Sequence, residues 1–311
     1  IDTVLPSFWR STRMAKDIAS RVDVYHGLSN ELPFGLTSAK LKKVVTIHDL
    51  IFEHYPNHYP TWDRMLYQRK SKYACTASDI ILATSEATKK DIIDFYKIAD
   101  SKIHVVYQGC DDRFYKKASK EKMEAIQKKY DLPSHYFISV GSIIERKNLL
   151  STCKAFSSIT DEGCALIIIG KGGDYKKLVQ KYLHDNKLHH RVLFLEDRFP
   201  AQDIYTDLPI LYAMSLALVY PSILEGFGIP VLEAMASATA VITSNQSSMQ
   251  EIGNGAAVLV NPFDVEEIAY AMQKMYKNEI FRKECITLGR EKCKEFDTKL
   301  IAQQVMTLYK N

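Results

Sequence analysis

The segment Val219–Ala236, which reads VYPSILEGFGIPVLEAMA, constrains the fold and function of this chain more than any other. An apolar strand end meets a proline, and a loop with one acid and two glycines follows. The pattern then predicts a helix that Pro230 opens and that carries a second acid, Glu233, in its first turn. Proline suits the first helical position because its missing N–H would be unpaired there in any case.

The loop of this segment has the features of a diphosphate site. Gly226 and Gly228 let the backbone approach a ligand closely, and the helix N-terminus beyond them favours an anion. Glu225 and Glu233, eight residues apart, flank the loop. The alternative is an ordinary strand–loop–helix connection of an α/β fold that binds no ligand. An acid in the first turn of a helix complements the helix dipole even without a ligand. For each residue alone that alternative is favoured, whereas the joint pattern favours a site.

Size and composition limit the classes of protein. With 311 residues the chain is long enough for two domains, and its 46% apolar and 25% charged residues are ordinary for a globular protein. The net charge of +4 is too small and too scattered to indicate nucleic acid. No apolar run reaches the ~18 residues of a membrane span. Six cysteines without a C-x-x-C pair are typical of reduced thiols, so we expect a cytoplasmic protein.

Short β-branched apolar runs alternate with helical patterns in the first part of the chain. This alternation predicts a parallel sheet with helices on both faces. The sequence from Gln108 to Asp112 breaks the pattern and is the candidate interdomain link. The predicted strands are Val22–His26, Val44–His48, Ile80–Thr84 and Ile103–Tyr107, and the predicted helices are Trp62–Ser78 and Glu86–Tyr96, with Ser85 as N-cap.

A second alternating series fills the rest of the chain. We therefore expect an α/β protein of two doubly wound domains, with ligands outside the carboxyl ends of the strands. The predicted strands are Tyr136–Val140, Ala165–Ile169, Val192–Leu195, Leu216–Tyr220, Ala240–Thr243 and Ala257–Val260. The predicted helices are Lys120–Tyr130, 147–159, Tyr175–Asn186, Leu208–Met214, the helix at Pro230, Val265–Lys277, Ile280–Glu295 and Thr298–Tyr309.

Two adjacent cations, Arg146 and Lys147, follow Gly141 and Ser142 at a strand-to-helix junction. The planar fork of an arginine and the point charge of a lysine both suit a diphosphate. A solvated charged turn is the alternative, and it is favoured for the two cations taken alone. The sequence has no Asp-x-Asp pair to hold Mg²⁺ or Mn²⁺ on a diphosphate, so we expect a site without a metal or other cofactor.

Two histidines end predicted strands. His48 is a candidate contact to a sugar or phosphate, and a satisfied core or capping histidine is an equal alternative. We expect His26 to be structural or to face the acceptor. The helix Trp62–Ser78 combines aromatic and basic residues, which fits an anionic membrane surface. A buried apolar stripe with a solvated basic face is at least as good an interpretation of that helix.

Several segments together resemble the retaining glycosyltransferases of family 4, in the mannosyltransferase-like branch. They are D-V-Y-H-G-L-S-N-E-L-P from Asp23, V-T-I-H-D-L-I-F from Val45, V-G-S-I-I-E-R-K-N from Val140, the E-G-F-G-I-P segment, S-S-M-Q-E-I and N-P-F-D-V-E-E-I-A. The resemblance implies a GT-B fold, in which two Rossmann-like parallel-sheet domains face a cleft. The family's N-terminal strand and glycine-rich loop have no counterpart before Ile1, so we expect an incomplete N-terminal domain.

The resemblance also implies domains and residue roles. It implies an acceptor-side domain over 1–110, a nucleotide-sugar-binding domain over 111–296, and a final helix, 297–311, that crosses back to the first domain. It implies Arg146 and Lys147 on the diphosphate, Glu233 on the ribose, and Glu225 and His48 near the donor sugar. The expected catalytic residues are Glu225, Arg146, Lys147 and His48. The expected donor-binding residues are Gly141, Ser142, Arg146, Lys147, Gly226, Phe227, Gly228, Ile229, Leu232 and Glu233.

We therefore expect a metal-independent retaining hexosyltransferase that moves mannose from GDP-mannose to a polysaccharide or a lipid-linked oligosaccharide. Its expected partners are the nucleotide sugar, this acceptor and, through residues 61–78, the inner face of a membrane, with no nucleic acid. The alternatives are a non-catalytic nucleotide-sugar-binding subunit and another GT-B enzyme, such as a UDP-sugar-dependent transferase, a phosphorylase or an epimerase.

Overall fold

The chain forms two units, each built on a parallel sheet with helices packed against it. In the computed structural model the described residues are 14, 21–36 and 40–310. One unit contains residues 1–108 together with 298–311, and the other contains residues 109–297. All strand pairs in both sheets are parallel, which confirms the predicted α/β class.

The first unit has a four-stranded sheet with the order β1-β2-β3-β4. Its core consists of side chains from the inner strands and from the helices that follow them, including Val45, Ile81 and Ile92. The Ser85 hydroxyl accepts a hydrogen bond from the Thr88 N–H, which confirms the predicted N-cap. The elements are β1 (Val24–Gly27), β2 (Lys42–Ile47), α1 (Ile51–His54), α2 (Thr61–Ala77), β3 (Ile80–Ala83), α3 (Glu86–Tyr96) and β4 (Ile103–Val105).

The second unit has a six-stranded sheet with the order β10-β9-β8-β5-β6-β7. All residues of β6 and β8 are buried, as expected for inner strands with helices on both faces. The strands are β5 (His135–Val140), β6 (Cys164–Ile169), β7 (Val192–Phe194), β8 (Ala217–Tyr220), β9 (Ala240–Ser244) and β10 (Val258–Val260). The helices are α4 (Lys120–Tyr130), α5 (Leu149–Phe156), α6 (Asp174–Asp185), α7 (Ala201–Met214), α8 (Ile229–Ala236), α9 (Ser247–Gly253), α10 (Val265–Lys277) and α11 (Glu279–Lys292).

Two helices of the second unit differ most from the prediction. The predicted helix Leu208–Met214 is the second half of α7, which begins at Ala201. Ile204, Leu208 and Leu211 are all buried, so one apolar stripe with helical spacing extends the helix backwards. Helix α9 was not predicted, because seven residues are too short a window for a periodic signal.

The final helix, α12 (Thr298–Lys310), belongs to the first unit. Its apolar side chains pack against residues of the sheet such as Val44 and Leu82. Lys42 donates a hydrogen bond to the carbonyl oxygen of Tyr309 at 2.9 Å, and His26 bonds to the Tyr309 hydroxyl. Among the described helices, none is both long and apolar enough to cross a bilayer.

Candidate active site

The topology of the second unit defines where a ligand would bind. From β5, the chain adds β6 and β7 on one side of the sheet and β8, β9 and β10 on the other. The strand order therefore reverses between β5 and β8, which are hydrogen-bonded neighbours with Ile138 opposite Leu218. In open α/β sheets the ligand crevice lies outside the carboxyl ends of the strands at such a point. Gly141 follows β5 there, and the loop with Glu225 follows β8.

The turn that carries Arg146 and Lys147 is fixed to the end of β8. Its last residue, Asn148, has a left-handed backbone with φ of 60° and is buried. The Asn148 side-chain amide donates to the carbonyl oxygens of Pro221 at 3.2 Å and Pro262 at 2.6 Å. Ile223 N–H donates to the Arg146 carbonyl oxygen at 2.9 Å. The two cations are therefore held against the loop that carries Glu225.

Glu225 gathers four donor groups around one carboxylate oxygen, Oε1. Arg146 Nη1 lies at 2.9 Å and Lys147 Nζ at 2.5 Å. The Ser222 hydroxyl lies at 2.6 Å and the Tyr220 hydroxyl at 3.1 Å. The side chain of Glu225 is only 9% exposed. The structure thus brings together three predicted catalytic residues, which are separated by up to 79 positions in the sequence.

The charge state of Glu225 follows from these neighbours. Burial would raise the pKa of Glu225, but the charges of Lys147 and Arg146 and the bonds from Lys147 and Ser222 outweigh it. The net pKa therefore lies below its ordinary value, and the carboxylate is ionised at neutral pH. Burial, and secondly the charge of Glu225, raise the pKa of the Tyr220 hydroxyl well above its ordinary value. Tyr220 therefore remains a hydrogen-bond donor.

Four residues around Glu225 were not predicted as site residues. Tyr220 and Ser222 lie within the opening segment, and their closeness to Glu225 in the sequence is a signal that could have identified them. Ser247 and Ser248 lie at the start of α9, and their hydroxyls donate to the Glu225 carbonyl oxygen at 2.8 and 2.9 Å. No local pattern connects these two serines with Glu225, because the contact depends on the packing of α9.

The glycine that joins the loop to α8 has a backbone that L-residues rarely adopt. Gly228 has φ of 125°, and a Cβ there would lie 2.1 Å from Cε of the buried Met249. Phe227 and Leu232 are buried, and the Phe227 ring packs edge-on against Phe296 at 5.7 Å. These two side chains therefore form the core beneath the site. We expect any contact from them to a donor to come from their backbone.

The remaining predicted donor-binding residues lie at the same crevice. Gly141 has φ of 133° and directly follows β5, and the exposed Ser142 comes next. Gly226 is buried in the loop, and the half-buried Ile229 is the first residue of α8.

Glu233 lies in a different environment from Glu225. Helix α8 begins at Ile229, so Glu233 is in its second turn, and the predicted position in the first turn is wrong. The helix begins earlier because Gly228 is its cap and Pro230 takes the second position. Glu233 accepts one long hydrogen bond, 3.4 Å, from the Tyr212 hydroxyl. Burial raises the pKa of Glu233 to about 7, although that hydroxyl and the charge of Arg113 oppose it.

His48, in the first unit, is hydrogen-bonded through both ring nitrogens. Nε2 lies 2.7 Å from the Leu28 carbonyl oxygen, which can only accept, so Nε2 carries the proton. Nδ1 then accepts from the Gln108 side-chain amide at 3.0 Å. This arrangement holds the imidazole in one orientation, as expected of a histidine with satisfied hydrogen bonds. A direct contact to a sugar would replace one of these bonds, and that role stays a prediction.

His26 has structural contacts in the first unit. Its ring nitrogens bond to the hydroxyls of Tyr309 and Thr46, the latter at 2.7 Å. Burial lowers the pKa of His26. His26 thus links α12 to the sheet, which agrees with the structural role, one of the two roles expected for it. In the part of the chain that the structure describes, no three His, Cys, Asp or Glu side chains converge as a possible metal site.

The fold is similar to that of known proteins. Parallel, Rossmann-like sheets in both units form the GT-B fold of glycosyltransferases, which confirms the predicted architecture. A crystal structure of a glycosyltransferase from Rickettsia africae matches the chain with a TM-score of 0.78 at 20% identity. The match covers 100% of this chain and 83% of that one.

The chain belongs to the family of glycosyl transferases group 1, whose family model matches residues 120–292. The model of Glycosyltransferase Family 4 matches residues 2–114. O-antigen chain mannosyltransferase B of Escherichia coli is 26% identical over 92% of this chain and 74% of that protein. O-antigen chain mannosyltransferase RfbU of Salmonella typhimurium is 32% identical over 71% of this chain. The chain matches only 57% of the length of RfbU.

Proposed function

We propose that this glycosyltransferase moves mannose from GDP-mannose to a polysaccharide or lipid-linked oligosaccharide, with retention of the anomeric configuration and without a metal. The observation that carries the proposal is the cluster of Arg146, Lys147 and Glu225 at the point where the strand order reverses. The choice of mannose is supported by the two mannosyltransferase relatives.

The two cations would bind the diphosphate and stabilise it as it leaves. One carboxylate against two cations leaves one positive charge in the cluster, and a diphosphate supplies the missing negative charge. When the bond to the sugar breaks, charge builds up on the departing phosphate oxygen. Preorganised cations in a site screened from water stabilise that charge strongly. Arg146 and Lys147 would thus perform the task that a divalent metal performs in other transferases.

Retention is proposed from the resemblance of the sequence to retaining glycosyltransferases, and the state of Glu225 bears on how retention would be achieved. Its Oε1 is engaged by Arg146, Lys147 and Ser222, so the carboxylate serves to orient the cations rather than to attack the sugar. Without a covalent intermediate, retention requires the acceptor hydroxyl to attack from the face that the diphosphate leaves. We therefore propose a front-face reaction, in which the departing phosphate is itself close enough to take the proton of that hydroxyl.

Glu233 would bind the ribose of the donor. The two ribose hydroxyls are donors, and an ionised carboxylate accepts from both. Because the pKa of Glu233 is about 7 in the free protein, ribose binding would favour loss of its proton. We therefore expect the affinity for GDP to fall as the pH drops below 7.

We also propose that α2 rests on the inner face of a membrane through residues 61–78. Trp62 is 82% exposed, and Met65 and Leu66 are exposed beside it. Arg69 and Lys72, exposed on the same helix, would attract anionic lipid headgroups. Sedimentation with phosphatidylglycerol vesicles should capture the protein, and Trp62→Ala should weaken this binding. Equal sedimentation with neutral phosphatidylcholine vesicles would contradict the role of charge.

The function is tested by incubating the chain with GDP-mannose, UDP-glucose or UDP-N-acetylglucosamine and a methyl mannoside acceptor in the presence of EDTA. We expect release of GDP and an α-linked mannosyl product, which NMR identifies from the one-bond carbon–proton coupling at the anomeric centre. A β-linked product would refute retention, and loss of turnover with EDTA would refute the metal-free mechanism. Preference for a UDP-sugar would refute the choice of donor.

A further inference from the structure

A pocket of about 380 Å³ lies entirely within the first unit. Its floor comes from the segments that follow β1 and β2, including Asn30 and Asp49, and one wall comes from α2, including Tyr67 and Lys70. The pocket therefore lies at the carboxyl ends of parallel strands, where ligands of open α/β sheets bind. Its volume is within the range of about 300–1,000 Å³ of small-molecule sites. The residues assigned to the nucleotide and diphosphate do not line it.

One side of the pocket is aromatic. The rings of Phe52, Tyr59 and Tyr67 form a mutual cluster, with centroids 6.0 to 6.4 Å apart. Phe52 is buried, whereas Tyr67 is 45% exposed. Such a wall suits the apolar C–H face of a pyranose ring, because packing of this face needs a flat, rigid, partly exposed surface.

The lining also contains polar side chains, and hydrogen bonds hold two of them, Asn30 and Asp49, in place. The side-chain oxygen of Asn30 accepts a hydrogen bond from the backbone N–H of His48 at 2.7 Å. The side-chain NH2 of Asn30 donates to the backbone carbonyl oxygen of Asp49 at 3.3 Å. Asp49 Oδ1 accepts from the Ile51 N–H at 3.1 Å, which fixes the carboxylate. Among the described residues, none bonds to Asp49 Oδ2, so this oxygen can accept from sugar hydroxyls.

The charges of the pocket disfavour an anion. Among the described lining residues Lys70 is the sole cation, and its Nζ lies 2.7 Å from Glu31 Oε2. Asp49 adds a second carboxylate, so the lining carries a net negative charge. A phosphate or uronate here would face like charge and would compete with Glu31 for Lys70, and such repulsion excludes wrong partners.

We propose that this pocket binds a neutral hexose unit of the acceptor, and that the Glu31–Lys70 pair excludes acceptors with an anionic group at that unit. The proposal rests on the proposed function for the identity of the acceptor as a saccharide. Tyr67 packs against the sugar ring, Asp49 accepts from its hydroxyls, and Glu31 occupies the cation that would otherwise attract phosphate.

The first test measures binding by calorimetry without any donor, so that it does not depend on transfer. The probes are methyl α-mannobioside and the same disaccharide with a terminal 6-phosphate. The wild-type chain should bind the neutral disaccharide more tightly. Tyr67→Ala should weaken that binding about tenfold, as expected for loss of an aromatic packing partner. Tyr270→Ala, an equally drastic change at an exposed tyrosine of α10, should leave it unchanged. No binding of the neutral probe, or equal effects of the two variants, would overturn the proposal.

The second test reverses the charge preference. Glu31→Gln releases Lys70, so the phosphorylated disaccharide should bind about tenfold more tightly while binding of the neutral one changes little. Glu279→Gln, which breaks the exposed pair with Lys283 on α11, is the matched control and should change neither. An unchanged selectivity in Glu31→Gln would refute the role of the pair. If these responses occur but GDP-mannose is not used, the proposed donor fails and the pocket stands. If GDP-mannose is used but neither variant alters disaccharide binding, the pocket proposal alone fails.

Discussion

The loop around Glu225 and the second turn of α8 around Glu233 hold two carboxylates, eight residues apart, in opposite states. Glu225 has two cations within 3 Å, and its pKa lies below the ordinary value. Glu233 has a single long bond from a tyrosine hydroxyl, and burial raises its pKa to about 7. Both are glutamates with little access to water, so the difference comes from the charges that packing places beside them.

This difference indicates that the two carboxylates have different roles in one site. An ionised Glu225 can keep Arg146 and Lys147 oriented before any substrate arrives. The pKa of Glu233 lies near neutral pH because no cation or strong hydrogen-bond donor among the described residues offsets the effect of its burial. Glu233 is therefore available to a ligand that donates hydrogen bonds. Perturbed acids of this kind often mark functional sites.

The largest effect is expected from removing a cation on the Glu225 side. Lys147→Ala should lower kcat/KM for the donor about 10²–10³-fold, because a preorganised charge on the leaving group is lost. Arg146 still pairs with Glu225 in this variant, so the fold should persist. Donor turnover measured by chromatography checks the prediction. Lys177→Ala, at an exposed lysine of α6, is the control, and equal rates in both variants would contradict the assignment.

Removing the negative charge of Glu225 should affect stability. Glu225→Gln leaves Arg146 and Lys147 without their carboxylate, and breaking a buried pair in this way costs about 3 kcal/mol of unfolding free energy. Urea unfolding measures the loss. GDP should restore more stability to this variant than to the wild type, since its diphosphate replaces the missing charge. A loss no larger than in the exposed variant Glu279→Gln would show that Glu225 is not tightly coupled to the cations.

Gly228 lies between the two acids in the sequence. Replacing it should lower the stability of both regions moderately. Gly228→Ala places a Cβ on a backbone with φ of 125° and against Met249. We expect a loss of about 2 kcal/mol from backbone strain and the clash. Gly255→Ala is the control, because φ there is also positive, at 77°, but no atom lies within 4 Å of the added Cβ. Thermal unfolding should show a larger loss of stability in Gly228→Ala than in Gly255→Ala. Adding Met249→Ala to the Gly228→Ala variant should remove the clash and recover part of this loss.

The last prediction concerns the titration of Glu233. The folded state keeps its proton up to about pH 7, whereas the unfolded chain loses it near the ordinary pKa of 4.5. The contribution of Glu233 to the free energy of unfolding is therefore fully present below pH 4.5, and it is lost as the pH rises through about 7. Glutamine does not titrate, so the free energy of unfolding of Glu233→Gln should rise by about 2–3 kcal/mol relative to that of the wild type between about pH 5 and pH 8. Parallel pH profiles of unfolding would refute the raised pKa.

Much of the fold could be predicted from the sequence, because the signals are local. The helices Glu86–Tyr96, Lys120–Tyr130 and Val265–Lys277 have the predicted bounds, since each has clear periodicity and a polar residue at its start. The strands were placed to within two residues at each end. Helix α9 was missed, because it is short and depends on packing against its neighbours.

The site was only partly predictable. The sequence placed Arg146, Lys147 and Glu225 in one group because of the joint pattern of loops, and the structure brings them into contact. It could not predict the different pKa values of the two acids, because burial and neighbouring charge are properties of packing. It also left two equal interpretations of His48, and its hydrogen bonds to Leu28 and Gln108 became visible only in the fold.

The opposite states of the two acids can be measured directly by carbon-13 NMR of protein labelled at the glutamate side-chain carboxyl carbon. The signal of Glu233, identified by its loss in Glu233→Gln, should titrate with a pKa of about 7. The signal lost in Glu225→Gln should titrate below the ordinary value of 4.5. The account would be contradicted if both signals titrated near 4.5, or if Glu225 had the higher pKa of the two. Either result would show that the diphosphate side and the ribose side of the site do not differ in the way described.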